Sequence, residues 1–264
     1  MTIIEKIIAH KCRELADNKL KKPVKVFERS RLFKRTTLPL SASILNPDKT
    51  GIIAEFKRKS PSKGIINSQA ILEEVTTGYF RFGASGISIL TDKKFFGGSV
   101  DDLIRARELN PIPILRKEFI IDEYQIIETK AIGADAILLI ASVLDVRKTY
   151  ELARFAKSLD LQVLLEVHKA TELDHLNEFV SMVGVNNRDL NTFQVDTEIS
   201  FQLADMIPTD FVKISESGIH SPAVIKKLKR SRYQGFLIGE SFMLAQEPVT
   251  AFSDFVKLLL FEND

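Results

Sequence analysis

Four charged residues sit at or just past the ends of short apolar runs: Glu55 and Lys57 with Ile52-Ile-Ala, Lys117 after Pro113-Ile-Leu, and Glu166 after Val163-Leu-Leu. Side chains alternate along an extended segment, so residues two apart share a face. On that count Glu55 and Lys57 continue the face of Ile53, Lys117 and Phe119 that of Leu115, and Glu166 that of Leu164. Asn186 and Arg188 likewise continue the face of Gly184. A charge withdrawn from water is costly unless it is paired, so a chain that keeps several on apolar faces needs a reason to do so. Salt bridges that only tie segments together would explain one such residue; they explain four less well. Two carboxylates and two ammonium groups at close range shift one another's pKa values and can exchange protons with a bound molecule, which is general acid–base chemistry.

Two other segments suit an anion. Ser215-Glu-Ser-Gly-Ile219 and Gly239-Glu-Ser241 each place a glycine, Gly218 or Gly239, where backbone N–H groups need to come close to a phosphate. Glu240 has to turn its carboxylate aside there, because it would repel the ligand. The segment Arg58-Lys-Ser-Pro-Ser-Lys-Gly64 is basic and carries Pro61. It reads either as a solvated turn or as a lid that draws in an anionic substrate. His10, His168, His175 and His220 lack metal-ligand spacing, and the single Cys12 cannot build a zinc site, so no metal is expected. His168 shares a face with Glu166 but reads as a loop residue. There is no phosphate-binding Walker loop and no Gly-x-Ser-x-Gly elbow, so neither a nucleotide cofactor nor a serine nucleophile is indicated.

These residues must be positioned by a regular scaffold. Eight short apolar runs recur from residue 52: Ile52–Phe56, Gly86–Leu90, Ile112–Leu115, Ala136–Ile140, Gln162–Val167, Met182–Val185, Phe211–Ile214 and Gly235–Ile238. Runs apolar on both faces are what strands of a parallel sheet require. The segments between them carry helical spacing, as in Val146, Tyr150 and Ala153, and Pro222 suits a first helical turn. Gly83 and Gly133 end helical patterns just before strands. Eight such units could lie as an open sheet, but no Gly-x-Gly-x-x-Gly turn follows the first strand, and their regularity favours closure. The expectation is an α/β protein, a (β/α)8 TIM barrel, with its active site at the C-terminal strand ends and a phosphate held after strands seven and eight. Residues 1–264 form one domain in this reading, and 1–50 are an N-terminal helical extension. Its helix spans Thr2–Asn18, with Ile4, Ile7, Ile8, Cys12 and Leu15 on one stripe and Lys19–Lys25 solvated.

Composition sets the outer limits. A length of 264 residues suits one α/β barrel, typically about 250. Lys and Arg number 37 against 35 Asp and Glu, a balance that calls for neither nucleic acid nor an anionic membrane as partner. One cysteine excludes an internal disulfide and suits a reducing cytosol. Glu5 interrupts the first apolar residues, which reads as an amphipathic helix rather than a signal peptide. The run Ala136–Ala141 is far short of the roughly 20 residues that span a bilayer. A cytoplasmic location is expected.

Against this reading, Ile52-Ile-Ala-Glu-Phe-Lys-Arg-Lys-Ser-Pro-Ser-Lys-Gly64 resembles the signature segment of the indole-3-glycerol-phosphate synthase family. The likeness extends to Leu115-Arg-Lys-Glu-Phe-Ile-Ile-Asp122, Leu164-Leu-Glu-Val-His168 and Val183-Gly-Val-Asn-Asn-Arg-Asp-Leu190. It continues in Ser215-Glu-Ser-Gly-Ile219 and Phe236-Leu-Ile-Gly-Glu-Ser-Phe-Met243, so it covers essentially the whole chain. The resemblance implies a carboxy-lyase of tryptophan biosynthesis. It would close 1-(2-carboxyphenylamino)-1-deoxyribulose 5-phosphate to indole-3-glycerol phosphate, with loss of CO2 and water and without a cofactor. It implies Lys117 as general acid, which can give its proton to the developing alkoxide if its pKa is suitably lowered, and Glu166 as general base in the later dehydration. Lys57 would bind the substrate carboxylate or phosphate, and is a second candidate proton donor. Glu55 and Asn186 would orient substrate and catalytic groups. Ser60, Pro61, Phe119, Leu138, Arg188, Ser217 and Leu237 would contact substrate, and Lys57, Ser217, Gly218, Gly239 and the backbone of Glu240 would hold the phosphate. The expected partner is that small phosphorylated molecule, with the chain a monomer or weak homodimer. Two other readings compete: an aldolase-type barrel in which Lys57 or Lys117 forms a Schiff base, and an inactive phosphate-binding scaffold.

Overall fold

Strands apolar on both faces have to be covered twice, and a closed parallel barrel wrapped in helices does this. The computed structural model describes residues 1–261 and contains that arrangement. The strands are β1 (Ile52–Phe56), β2 (Gly86–Leu90), β3 (Ile114–Lys117), β4 (Ala136–Ile140), β5 (Gln162–Val167), β6 (Met182–Asn186), β7 (Val212–Glu216) and β8 (Gly235–Ile238). Each pairs in parallel with its sequence neighbours, and β1 closes the barrel on β8. Inside, Ile53, Leu115, Leu138, Leu164, Met182, Ile214 and Leu237 pack together, while a larger apolar layer separates the sheet from the helices. Seven strands are each followed by a helix of six residues or more: Leu72–Arg81, Val100–Leu109, Glu123–Ala131, Val146–Ser158, Glu198–Leu203, Pro222–Arg230 and Pro248–Phe261. After β5 the chain makes only a 3-10 turn, Ala170–His175, where a helix is expected.

Three strands depart from the sequence reading. β3 starts at Ile114 rather than Ile112, since Pro113 has no N–H to give, although its carbonyl accepts from Ile87 N at 3.0 Å. Lys117 is therefore the last residue of the strand. β6 runs on to Asn186, and β7 covers Val212–Glu216 instead of Phe211–Ile214. These ends reach one and two residues further, respectively, toward the C-terminal rim, where side chains meet a ligand.

The first helix, α1 (Ile3–Lys21), opens on a capping box between Thr2 and Glu5. Ile7 and Leu15 are buried as expected, but Cys12 is exposed and Lys11 takes the inward place. Its ammonium is paired with Glu14 at 2.5 Å and with Asp92 and Glu118 at 3.2 Å each, which is what lets a lysine lie there. This clamps α1 to the rim beside Lys117. The stretch Lys19–Lys25 lies largely in solvent, with Lys19 reaching Asp122 at 2.8 Å.

At the opposite end, Leu40 and Ile44 of the extension plug the barrel. Asp135, fully buried, accepts from Arg35 at 2.6 Å, Leu38 N at 2.7 Å, and Arg107 and Ile114 N at 2.8 Å each. Asp135→Ala strips four donors of their partner and leaves a buried Arg107 uncompensated. It is expected to cost about 3–5 kcal/mol in urea unfolding; a loss under 1 kcal/mol (about a fivefold change in the folding constant) would show that the extension is not fixed this way.

Candidate active site

The alternation of side chains sends alternate residues of every strand into the barrel, and at the C-terminal rim these are polar. Lys117 ends β3 and stretches across to β5 and β7, where its Nζ lies 3.0 Å from Glu166 Oε2 and 2.5 Å from Glu216 Oε2. Lys57, just past β1, holds Glu55 Oε1 at 2.9 Å, and Ser88 on β2 donates to Glu55 Oε2 at 3.2 Å. Asn186 ends β6; its Oδ1 accepts from Ser217 Oγ at 2.9 Å and from Arg188 N at 3.0 Å. Arg188 in turn donates to Glu240 Oε2 at 3.0 Å. Glu240 thus borders the site with its carboxylate covered by a guanidinium.

These side chains surround a hollow of about 840 Å³, counted with the open space at its mouth. Glu55, Lys57, Lys117, Glu166 and Asn186 all line it, as do Ser60, Pro61, Phe119 and Leu138. Arg188, Ser217, Leu237 and Glu240 complete the expected set at one end. There a smaller hollow of about 400 Å³ continues, lined by Lys57, Ser217, Gly218, Gly239 and Glu240. Every residue singled out from the sequence therefore borders one of two adjoining hollows, and Lys57 borders both. Ser217 and Gly218 both have positive φ, 67° and 75°. Left-handed backbone is cheap for glycine but not for serine, and such strain tends to be kept at functional turns. A Cβ on Gly239 would come within 2.8 Å of the Glu55 side chain, so that glycine makes room for a carboxylate as well as for a ligand.

The segment Arg58–Gly64 is neither a bare turn nor freely charged. Lys59–Ser60 pairs with Gly64–Ile65 as a two-stranded hairpin, and Arg58 is committed to Asp102 at 2.5 Å. The hairpin carries buried Ser60, with Pro61, over the hollow.

Glu216 is the functional residue that the sequence reading passed over. It is buried at the centre of the charged group, opposite Gly184, whose missing Cβ leaves room for Glu216 Oε1. It lies two residues beyond inward-facing Ile214, so the same parity count identifies it once β7 is given its full length.

Electrostatics differ from expectation at Lys117. Burial pushes its pKa down, but Glu216, Glu166 and Glu55 outweigh that and raise it. The condition of a lowered pKa is therefore not met, because three carboxylates stabilise the ammonium. Burial raises Glu55 and Glu166 too, yet the Lys57 and Lys117 charges hold Glu55 below the ordinary range, and Lys117 and His168 do so for Glu166. Glu216 goes the other way: burial, with help from the neighbouring Glu166, overrides Lys117 and pushes it up to about 7. The site thus combines a charged donor, two ionised carboxylates and a carboxyl that takes up a proton near neutrality.

Comparison with known proteins gives the arrangement its relatives. A family model described as indole-3-glycerol phosphate synthase matches residues 4–255. A protein of that name from Bacteroides thetaiotaomicron is 52% identical over 210 residues, 80% of this chain and 81% of the relative. One from Polaromonas naphthalenivorans is 40% identical over 256 residues, 96% and 97% of the two chains. Among solved structures, a mutant tryptophan synthase α-subunit from Pyrococcus furiosus aligns with a TM-score of 0.60 at 15% identity, covering 81% of this chain and 99% of that one. A 3-hexulose-6-phosphate synthase from Salmonella typhimurium aligns at 0.58 and 15%, covering 80% and 99%. Those two likenesses speak for the barrel fold alone. With the family model spanning nearly the whole chain and relatives at 40–52% identity, the chain belongs to the indole-3-glycerol phosphate synthase family.

Proposed function

We propose that the charged group around Lys117 carries out the reaction of this family, closing 1-(2-carboxyphenylamino)-1-deoxyribulose 5-phosphate to indole-3-glycerol phosphate without a cofactor. The observation that carries the assignment is Lys117 Nζ lying between Glu166 and Glu216 at the floor of a hollow that runs on to Ser217, Gly218 and Gly239. The phosphate sits against those three residues and the backbone of Glu240, with Lys57 within reach of it or of the substrate carboxylate. The anthranilate ring lies toward Phe119, Leu138 and Pro61, whose apolar surfaces suit it. As the ring carbon bearing the carboxylate attacks the ribulose carbonyl, Lys117 gives a proton to the forming alkoxide. A firmly charged ammonium is always loaded for this step, and an alkoxide is basic enough to take its proton. The carboxylate then leaves as CO2 and returns its electron pair to the ring. Glu166 then removes a proton from the carbon next to the new hydroxyl and passes it to that hydroxyl, whose C–O bond breaks to release water and complete the indole, and Lys117 regains its proton from solvent. Glu55 and Asn186 hold Lys57, Ser217 and the substrate hydroxyls in place.

The chain works as one unit of a barrel and its 1–50 extension, in a cytoplasmic setting; all assigned groups come from one chain, so a monomer or weak homodimer suffices. Among the described residues, no helix is long and apolar enough to cross a membrane. Incubation with the anilino-ribulose phosphate is expected to produce indole fluorescence; none would overturn the assignment. A Schiff-base reaction needs a neutral amine, and the raised pKa of Lys117 opposes it. Borohydride added during turnover should leave no covalent adduct by mass spectrometry.

A further inference from the structure

The proposed chemistry leaves Glu166 with a difficulty. Its carboxylate is buried, and Lys117 on Oε2 is its nearest counter-charge. Yet Lys117 surrenders a proton in the first step, so the charge that keeps Glu166 ionised is removed before Glu166 has to act as a base. A second cation, not consumed by the reaction, would resolve this.

His168 occupies the place such a group needs. It lies two residues beyond Glu166 on the same face, and its Nε2 is 3.5 Å from Glu166 Oε1, the oxygen that Lys117 leaves free. On the other side Nδ1 is 3.6 Å from Glu172 Oε2. Both ring nitrogens are buried and, among the described residues, neither has a hydrogen-bond partner at full bonding distance. A buried imidazole with two idle nitrogens is costly, but an imidazolium between two carboxylates is compensated. Glu172 is itself anchored, its Oε2 accepting from His168 N at 2.7 Å, with Lys169 Nζ 3.9 Å from Oε1. The β5–turn connection thus makes a three-residue line, Glu172–His168–Glu166, that ends at the base. Glu216 on β7 and Asp189 in the loop after β6 add further negative charge around the ring.

We propose that His168, steered by Glu172, is the positioning residue for Glu166: it holds the Oε1 side of that carboxylate ionised and aimed while Lys117 is discharged. The inference rests on the reading of Glu166 as base. The local balance of charge agrees with it. Burial opposes the charged ring, but Glu172, Glu166 and Glu216 outweigh burial and raise the His168 pKa, and the charge on His168 lowers that of Glu166.

The test uses His168→Gln and Glu172→Gln in the full chain. In both, the acid limb of the kcat–pH profile should move up by about one pH unit, because Glu166 loses a nearby positive charge or that charge loses its anchor. KM should change less than kcat. Histidine NMR of the free protein should show the His168 ring titrating above its ordinary value of about 6.5 in the wild type and falling back in Glu172→Gln. The second variant retains the imidazole, so it carries the test if His168→Gln does not fold. Acid limbs superimposable on the wild type in the folded variants, or a His168 ring that titrates normally, would overturn the proposal. Glu166→Gln separates the two levels. If it is inactive while the His168 and Glu172 variants keep the wild-type profile, only His168 is wrongly assigned. If it is fully active, the reading of Glu166 as base falls first.

Discussion

Lys117→Ala is expected to lower turnover by about 10³- to 10⁴-fold, the upper part of what a positioned general acid supplies, while the barrel stays folded. Lys57 cannot stand in: it borders both hollows, but it is tied to Glu55 at 2.9 Å, whereas Lys117 is the lysine that meets Glu166 and Glu216. Substrate affinity should fall far less than kcat, because the turn of Ser217, Gly218 and Gly239 makes no contact that depends on Lys117. Single-turnover indole fluorescence against titrated binding would separate the two effects. Turnover near wild type would remove Lys117 from the chemistry. The variant also has a stability signature. Without the ammonium, Glu216, already raised, loses its counter-charge and rises further, while Glu166 keeps only His168 beside it and rises less. A raised carboxyl pKa means that the native state binds more protons, and stability then falls as pH increases through the raised values. Lys117→Ala should therefore lose more stability at pH 8 than at pH 4.5, as read by urea midpoints.

The second large effect is at Glu166. Glu166→Gln keeps the side-chain shape but cannot accept a proton, and turnover should drop about 10²- to 10³-fold. The position of the block is more informative than its size. With Lys117 intact, ring closure and decarboxylation can proceed, so CO2 should be released faster than indole fluorescence appears. Equal, wild-type rates for both would end the base assignment; equal and strongly reduced rates would place Glu166 in the first step instead.

The difference between what was legible in the chain and what was not follows from the range of each signal. Parity along single strands located Glu55, Lys57, Lys117, Glu166 and Asn186, because inward and outward positions alternate wherever both faces are packed. The count is only as good as the strand end it starts from. With the seventh strand ended at Ile214, Glu216 falls in a turn, although it lies 2.5 Å from Lys117. The stripe on α1 departs from its apolar pattern for a related reason. Hydrophobicity favoured Cys12, while the folded chain buries Lys11, whose three carboxylate partners lie as far along the sequence as Glu118.

The amino-acid sequence by itself determined the eight apolar runs, the faces they present and the glycines of the phosphate turns, since each depends on residues a few positions apart. Only the tertiary structure decided the charge states. Lys117 meets Glu166 and Glu216 across 49 and 99 positions of chain, and whether its pKa falls with burial or rises with pairing depends on separations of a few ångströms that no local pattern encodes.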